Sequence, residues 1–67
     1  MELSARNQLH GTVKRVQRGA VVAEVTIDVG GQEITSVITN GSVDRLKLAP
    51  GDRVVAIVKA TEVMIGK

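Results

Sequence analysis

Sixty-seven residues carry a formal net charge of +2 and a hydrophobic fraction of 43 %, with one histidine, no cysteine and no Phe, Tyr or Trp. Disulfides are excluded, and a single histidine gives a metal staple little to build on. The missing aromatics remove the stacking platform of sequence-tolerant single-strand nucleic-acid binding, and interspersed charges of both signs do not make a phosphate-tracking surface.

A chain of this length reads as one domain over residues 1–67. Folding at that size buries only about 60 % of the surface of the unfolded chain, so the aliphatic core is marginal and association with further copies is the remaining remedy. No apolar run reaches the roughly 20 residues of a membrane span. Residues 1–9 lack the basic start and apolar middle of a signal peptide, so the expectation is a cytoplasmic protein away from the membrane.

In chain order, residues 9–16 alternate imperfectly, with Leu9, Gly11 and Val13 opposite His10, Thr12 and Lys14, and predict a first strand. Gly19 breaks it. Residues 20–29 predict the clearest strand, with Val21, Ala23, Val25, Ile27 and Val29 on one face and Val22, Glu24, Thr26 and Asp28 on the other. Gly30-Gly31 then predicts a two-residue hairpin, because primed turns need positive φ. That loop sets Val29 against Gln32, Ile27 against Ile34, Val25 against Ser36 and Ala23 against Ile38, and it opposes two like charges, Asp28 and Glu33.

Residues 32–39 form the third predicted strand. Ser42 is the expected N-cap of a short helix with Asp44 near its positive end and Leu46 and Leu48 as its anchors. A turn at Pro50-Gly51-Asp52 leads to a fourth strand at 53–59 and a short fifth at 62–65. This order matches an all-β, five-stranded OB-like Greek-key barrel with one short helix between strands three and four, with an SH3-like barrel as the competitor.

Catalysis finds little support. His10 lies in a predicted strand without Ser and Asp partners of the triad type, and there is no thiol. Glu24 and Asp28 share a strand face and read as solvated or as a subunit contact. Gly30-Gly31 lacks the Lys-Ser/Thr ending of a phosphate loop. The chain is therefore read as a non-enzyme.

A donor cluster is more informative. Ser4, Arg6 and Asn7 precede the first strand, Lys59, Ala60 and Thr61 lie where the fourth ends, and Thr39 and Ser42 flank the helix start. Guanidinium, ammonium, hydroxyls and amides suit a tetrahedral oxyanion, which at full ionisation has four acceptor oxygens and no donor. An exposed N-terminal arm with ordinary surface charges is the other reading of the same residues.

Ser4-Ala5-Arg6-Asn7-Gln8-Leu9 followed by Gly11-Thr12-Val13 strongly resembles the opening of the molbindins, the small molybdate-binding Mop proteins. The resemblance continues at Gly19-Ala20, Ala23-Glu24-Val25, the run 34–39, Ser42-Val43, Pro50-Gly51-Asp52 and the closing run 58–65. It covers essentially the whole chain and favours the OB-like fold. Basic Arg15 and Arg18 around the Gly19 turn depart from the pattern.

The resemblance implies binding of molybdate, with tungstate as the alternative, for intracellular storage and homeostasis. It further implies sites at subunit interfaces of a homo-hexamer built as a trimer of dimers. By position, Ser4, Arg6, Lys59, Ala60 and Thr61 come from one subunit and Thr39 and Ser42 from its neighbour, while Asn7 orients the arm. Two other classes stay open: a nucleic-acid-binding OB-type domain, and a structural or regulatory oligomer that senses oxyanion.

Overall fold

A computed structural model describes residues 1–67. Strands β1 (Asn7–Arg18), β2 (Val22–Val29) and β3 (Gln32–Thr39) precede helix α1 (Asn40–Leu46), strand β4 (Arg53–Val58) and a 3-10 turn (Ala60–Glu62). All strand pairs are antiparallel, and the sheet order is β3-β2-β1-β4.

The hairpin forms in the expected register, from Val29 against Gln32 to Ala23 against Ile38. Gly30 (φ 59°) and Gly31 (φ 89°) supply the positive φ at the turn, where an L side chain would be strained. Asp28 and Glu33 do face each other. The repulsion is answered locally: Asp28 Oδ1 accepts the Gly31 amide at 3.1 Å, and Glu33 takes ion pairs from Lys14 and Arg15. Lys14 and Arg15 lie on β1, so these pairs span the outer face of the intervening β2.

β1 explains its own imperfect alternation. Its register with β2 slips between Val13 and Arg15, leaving Lys14 as an additional residue on β1. Val13 and Val16, an odd number of residues apart, therefore both face the core. Gly11 allows a close crossing nearby, since a Cβ there would lie 2.6 Å from the Asp28 carbonyl oxygen.

The core is small: Val13, Ala23, Val25, Ile27, Val43 and Ala56, with Val16, Val29, Ile38, Leu48 and Val54 packed around it. Val43 is the helix anchor, and burying such a side chain contributes about 1.5–3 kcal/mol. Leu48 packs on the core as expected, but Leu46 stays 62 % exposed.

Several expectations are corrected. The helix begins earlier, at Asn40, and its N-cap is Thr39 in place of Ser42, because the Thr39 hydroxyl accepts the Ser42 amide at 3.0 Å. Asp44 consequently falls beyond the first turn, where it pairs with Arg18 at 2.7 Å. Val21 leaves the apolar face and is 71 % exposed, since residues 19–21 turn the chain and Gly19 N donates to Val22 O at 2.7 Å. Thr26, expected outside, is buried on the central β2, between Arg15 and Thr35 in the register.

The fifth strand is the largest correction. Glu62 closes the 3-10 turn, with its amide bonded to Lys59 O at 2.9 Å, and residues 63–67 pair with nothing. The sheet therefore has four strands and stays open between β3 and β4 in place of the expected five-stranded closure.

Candidate functional site

β1 and β4 run antiparallel with Asn7 opposite Val58 at the end of their ladder, so Arg6, just before β1, and Lys59, just after β4, flank the same strand ends. Segments more than fifty positions apart thereby form one edge of the molecule. Ser4, Arg6, Lys59, Ala60 and Thr61 are all exposed there, and Asn7 is half-buried as the first residue of β1. The 3-10 turn holds Ala60 and Thr61 in a fixed bend after Lys59.

Gln8, which the sequence reading passed over, secures this edge. Its Nε2 donates to Ala5 O at 2.9 Å, tying the N-terminal arm to the start of β1 between Ser4 and Arg6. The signal available in sequence was a long carboxamide at the boundary between arm and strand.

The ion pairs of the chain engage Lys14, Arg15 and Arg18, and neither Arg6 nor Lys59 takes part in one. Two like charges that flank one end of a ladder repel, and an anion near both offsets that repulsion. Arg15 and Arg18, which set this chain apart from the molbindin pattern, are satisfied internally by Glu33 and Asp44.

Thr39 and Ser42 form a second cluster. The Thr39 hydroxyl donates to Ser42 Oγ at 3.0 Å, and Arg45 Nη2 donates to the same oxygen at 3.2 Å. Arg45 was missed in sequence; its i, i+3 spacing from Ser42 on a helix was the available clue. Asn40 supports the cluster from below, with Nδ2 donating to Gly19 O at 3.0 Å and its backbone amide to Val21 O at 2.9 Å.

Strand register keeps the two clusters apart. Thr39 pairs with Val22, beside the C-terminal end of β1, whereas Arg6 lies just before its N-terminal end. Within one chain they sit at opposite ends of the longest strand, so a single site drawing on both needs a second chain.

Of the titratable groups, Glu33 shows the displaced equilibrium. The hydrogen bond and charge of Lys14 hold its carboxyl below the usual carboxylate range; desolvation opposes them, and Arg15 adds a lesser lowering. No group of His, Cys, Asp and Glu side chains is arranged to hold a metal ion. The chemistry on offer is donation to an anion.

The TOBE domain model matches residues 3–65. This chain belongs to the TOBE-domain family. This TOBE domain is 47 % identical over 66 residues to molybdenum-pterin-binding protein 2 of Clostridium pasteurianum, covering 97 % of each chain. Its fold is similar to that of a molybdate binding protein from Sporomusa ovata, with a TM-score of 0.95, 46 % identity and full coverage of both chains. It also resembles ModG, described as a cytoplasmic molybdate-binding protein and solved with molybdate bound, at 52 % identity and a TM-score of 0.86. There the TOBE domain aligns over 90 % of its own length and 43 % of the ModG chain. These relatives place the chain among the Mop proteins, with an all-β OB-like fold.

Proposed function

We propose that this chain binds molybdate, and tungstate as the alternative ion, between subunits of a homo-oligomer without transforming it. Arg6 and Lys59 supply the charge, Ser4, Ala60 and Thr61 supply hydroxyl and backbone donors beside them, and Thr39 and Ser42 complete the shell from a neighbouring subunit. Asn7 orients the arm. The assembly is a hexamer built as a trimer of dimers, as the molbindin resemblance implies, and its role is cytoplasmic storage and homeostasis of the ion.

The observation that carries this reading is that two cations, Arg6 and Lys59, flank the same end of the β1–β4 ladder and make no ion pair within the chain. The molybdate bound in ModG supports the identity of the anion. Charge-assisted hydrogen bonds to such an ion are roughly twice as strong as neutral ones. Exclusion of water between subunits strengthens them further, and leaves both cations costly to bury without the ion. Ligand therefore stabilises the assembly by mass action.

Calorimetric titration with molybdate, tungstate and sulfate, on protein whose mass is fixed by light scattering, tests the reading. Saturable heat from the first two ions and none from sulfate is the expected result. Silence from molybdate and tungstate overturns it.

A further inference from the structure

Asn40-Gly41 is a pair with a chemistry of its own. Glycine has no Cβ, so in a flexible chain its amide nitrogen reaches the side-chain carbonyl carbon of a preceding asparagine with little hindrance. The other asparagine of the chain, Asn7, is followed by the bulkier Gln8. In the fold Asn40 is the first residue of α1. Its Nδ2 donates to Gly19 O at 3.0 Å and its backbone amide to Val21 O at 2.9 Å, while its Oδ1 is buried without a hydrogen-bond partner. The carboxamide is thus tied to the connection between β1 and β2. Closing a five-membered ring from Gly41 N to Asn40 Cγ takes the ψ and χ1 of Asn40 away from helical and staggered values. It therefore requires that tie and the first helical turn to open. A donor on Oδ1 would make the carbon a better electrophile, and the fold supplies none.

We propose that Asn40-Gly41 is a deamidation site which the native fold holds closed, and that its reaction sets a carboxylate beside the Thr39/Ser42 cluster and weakens anion binding there. Gly41 N bonds to Asn40 Cγ, the Cγ–Nδ2 bond breaks, and ammonia leaves with the proton from Gly41 N. Water then opens the cyclic imide. Cleavage between Gly41 N and Cγ gives aspartate at position 40; cleavage between Gly41 N and the main-chain carbonyl carbon gives isoaspartate, with the backbone rerouted through the former side chain. Either product puts an acceptor where Nδ2 donated, so the bond to Gly19 O is lost. Isoaspartate also inserts a methylene into the main chain between Thr39 and Ser42, which spoils the fit of the Thr39 hydroxyl to the Ser42 amide at 3.0 Å. The new negative charge stands one residue from Thr39 and two from Ser42, where it repels an anion. Only this last consequence rests on the oxyanion reading.

Peptide mass spectrometry of the protein incubated at mildly alkaline pH, folded and in denaturant, reads conversion of amide to acid at residues 7 and 40. In denaturant, Asn40 is expected to convert faster than Asn7, and at least about tenfold faster than in the folded protein, as reaction through local opening requires. Equal rates at Asn40 in both states, or no conversion in denaturant, overturn the proposal. Gly41→Ala adds a Cβ whose nearest neighbour is Thr39 Oγ1 at 3.8 Å, so it fits the fold. It slows conversion at Asn40 in denaturant, and an unchanged rate also overturns the site. Asn40→Asp supplies the charge directly and binds molybdate roughly tenfold more weakly than wild type in calorimetry; equal affinity overturns the weakening. If wild type itself gives no heat with molybdate, the oxyanion reading fails, while the mass measurement still decides the deamidation site.

Discussion

Gly11 and Asp28 lie so close across the β1–β2 ladder that a Cβ on Gly11 would stand 2.6 Å from the Asp28 carbonyl oxygen and 2.7 Å from the Ile27 Cγ2. The obstacle on one side is backbone, which cannot rotate away. Gly11→Ala therefore forces the two strands apart and costs on the order of 2 kcal/mol, as overpacking does. Thermal unfolding at fixed protein concentration checks this, with an expected fall in Tm of roughly 10 °C. An unchanged Tm would mean the strands separate freely at this crossing.

Glu33 gives the chain a defined acid sensitivity. Its folded-state pKa lies below the unfolded value because of Lys14 first and Arg15 second. The stabilisation is fully present above the unfolded pKa and is lost as pH falls through the lowered folded pKa. In Lys14→Ala the Glu33 carboxyl moves up toward the ordinary range, and the loss of stability on acidification becomes shallower. NMR titration of the Glu33 side-chain carboxyl, in wild type and variant, reads the first effect directly.

Thr39 has a structural task that can be separated from ligand contact. Thr39→Ala removes the acceptor for the Ser42 amide and costs about 1 kcal/mol, the usual effect of losing an N-cap. Thr39→Ser keeps the cap and restores the stability. Denaturant unfolding compares the three proteins; equal stability of wild type and Thr39→Ala contradicts the capping assignment.

For the anion site, Arg6→Ala lowers molybdate affinity by at least about tenfold, the equivalent of roughly 1.4 kcal/mol, because a charge-assisted contact is lost. Arg6 is exposed and makes no ion pair within the chain, so the fold is retained. Glu24→Gln, on an exposed position of β2, leaves affinity nearly unchanged. Calorimetry on both variants, with circular dichroism as the check on folding, separates the two expectations.

The hairpin was legible because Gly30-Gly31 left only one register that kept aliphatic pairs on a common face. The helix start was not, because Asn40-Gly41 reads locally as a turn, while a tertiary bond from Asn40 to Gly19 O holds it helical. Val63-Met64-Ile65 is a short apolar run of the kind strands carry, yet such a run does not say whether it pairs, and here the 3-10 turn at Ala60–Glu62 precedes it. The candidate site was half legible: its donor chemistry stood in the residue types, whereas the placing of Arg6 and Lys59 at the same end of the sheet depended on the β1–β4 register, which no local pattern encodes. The separation of Thr39 and Ser42 from that pair was equally hidden, since it is set by the length of β1.

The additional residue at Lys14 works as a frame correction within a strand. Upstream of it, odd-numbered positions of β1 face inward; downstream, even-numbered ones do. Deleting that one residue would set Val16 two positions after Val13, so plain alternation would hold both on the core face and the local bend of the bulge would be lost. The single insertion thus keeps one core face continuous along a bent strand, and the bend, not the inward set of side chains, is what the extra residue supplies.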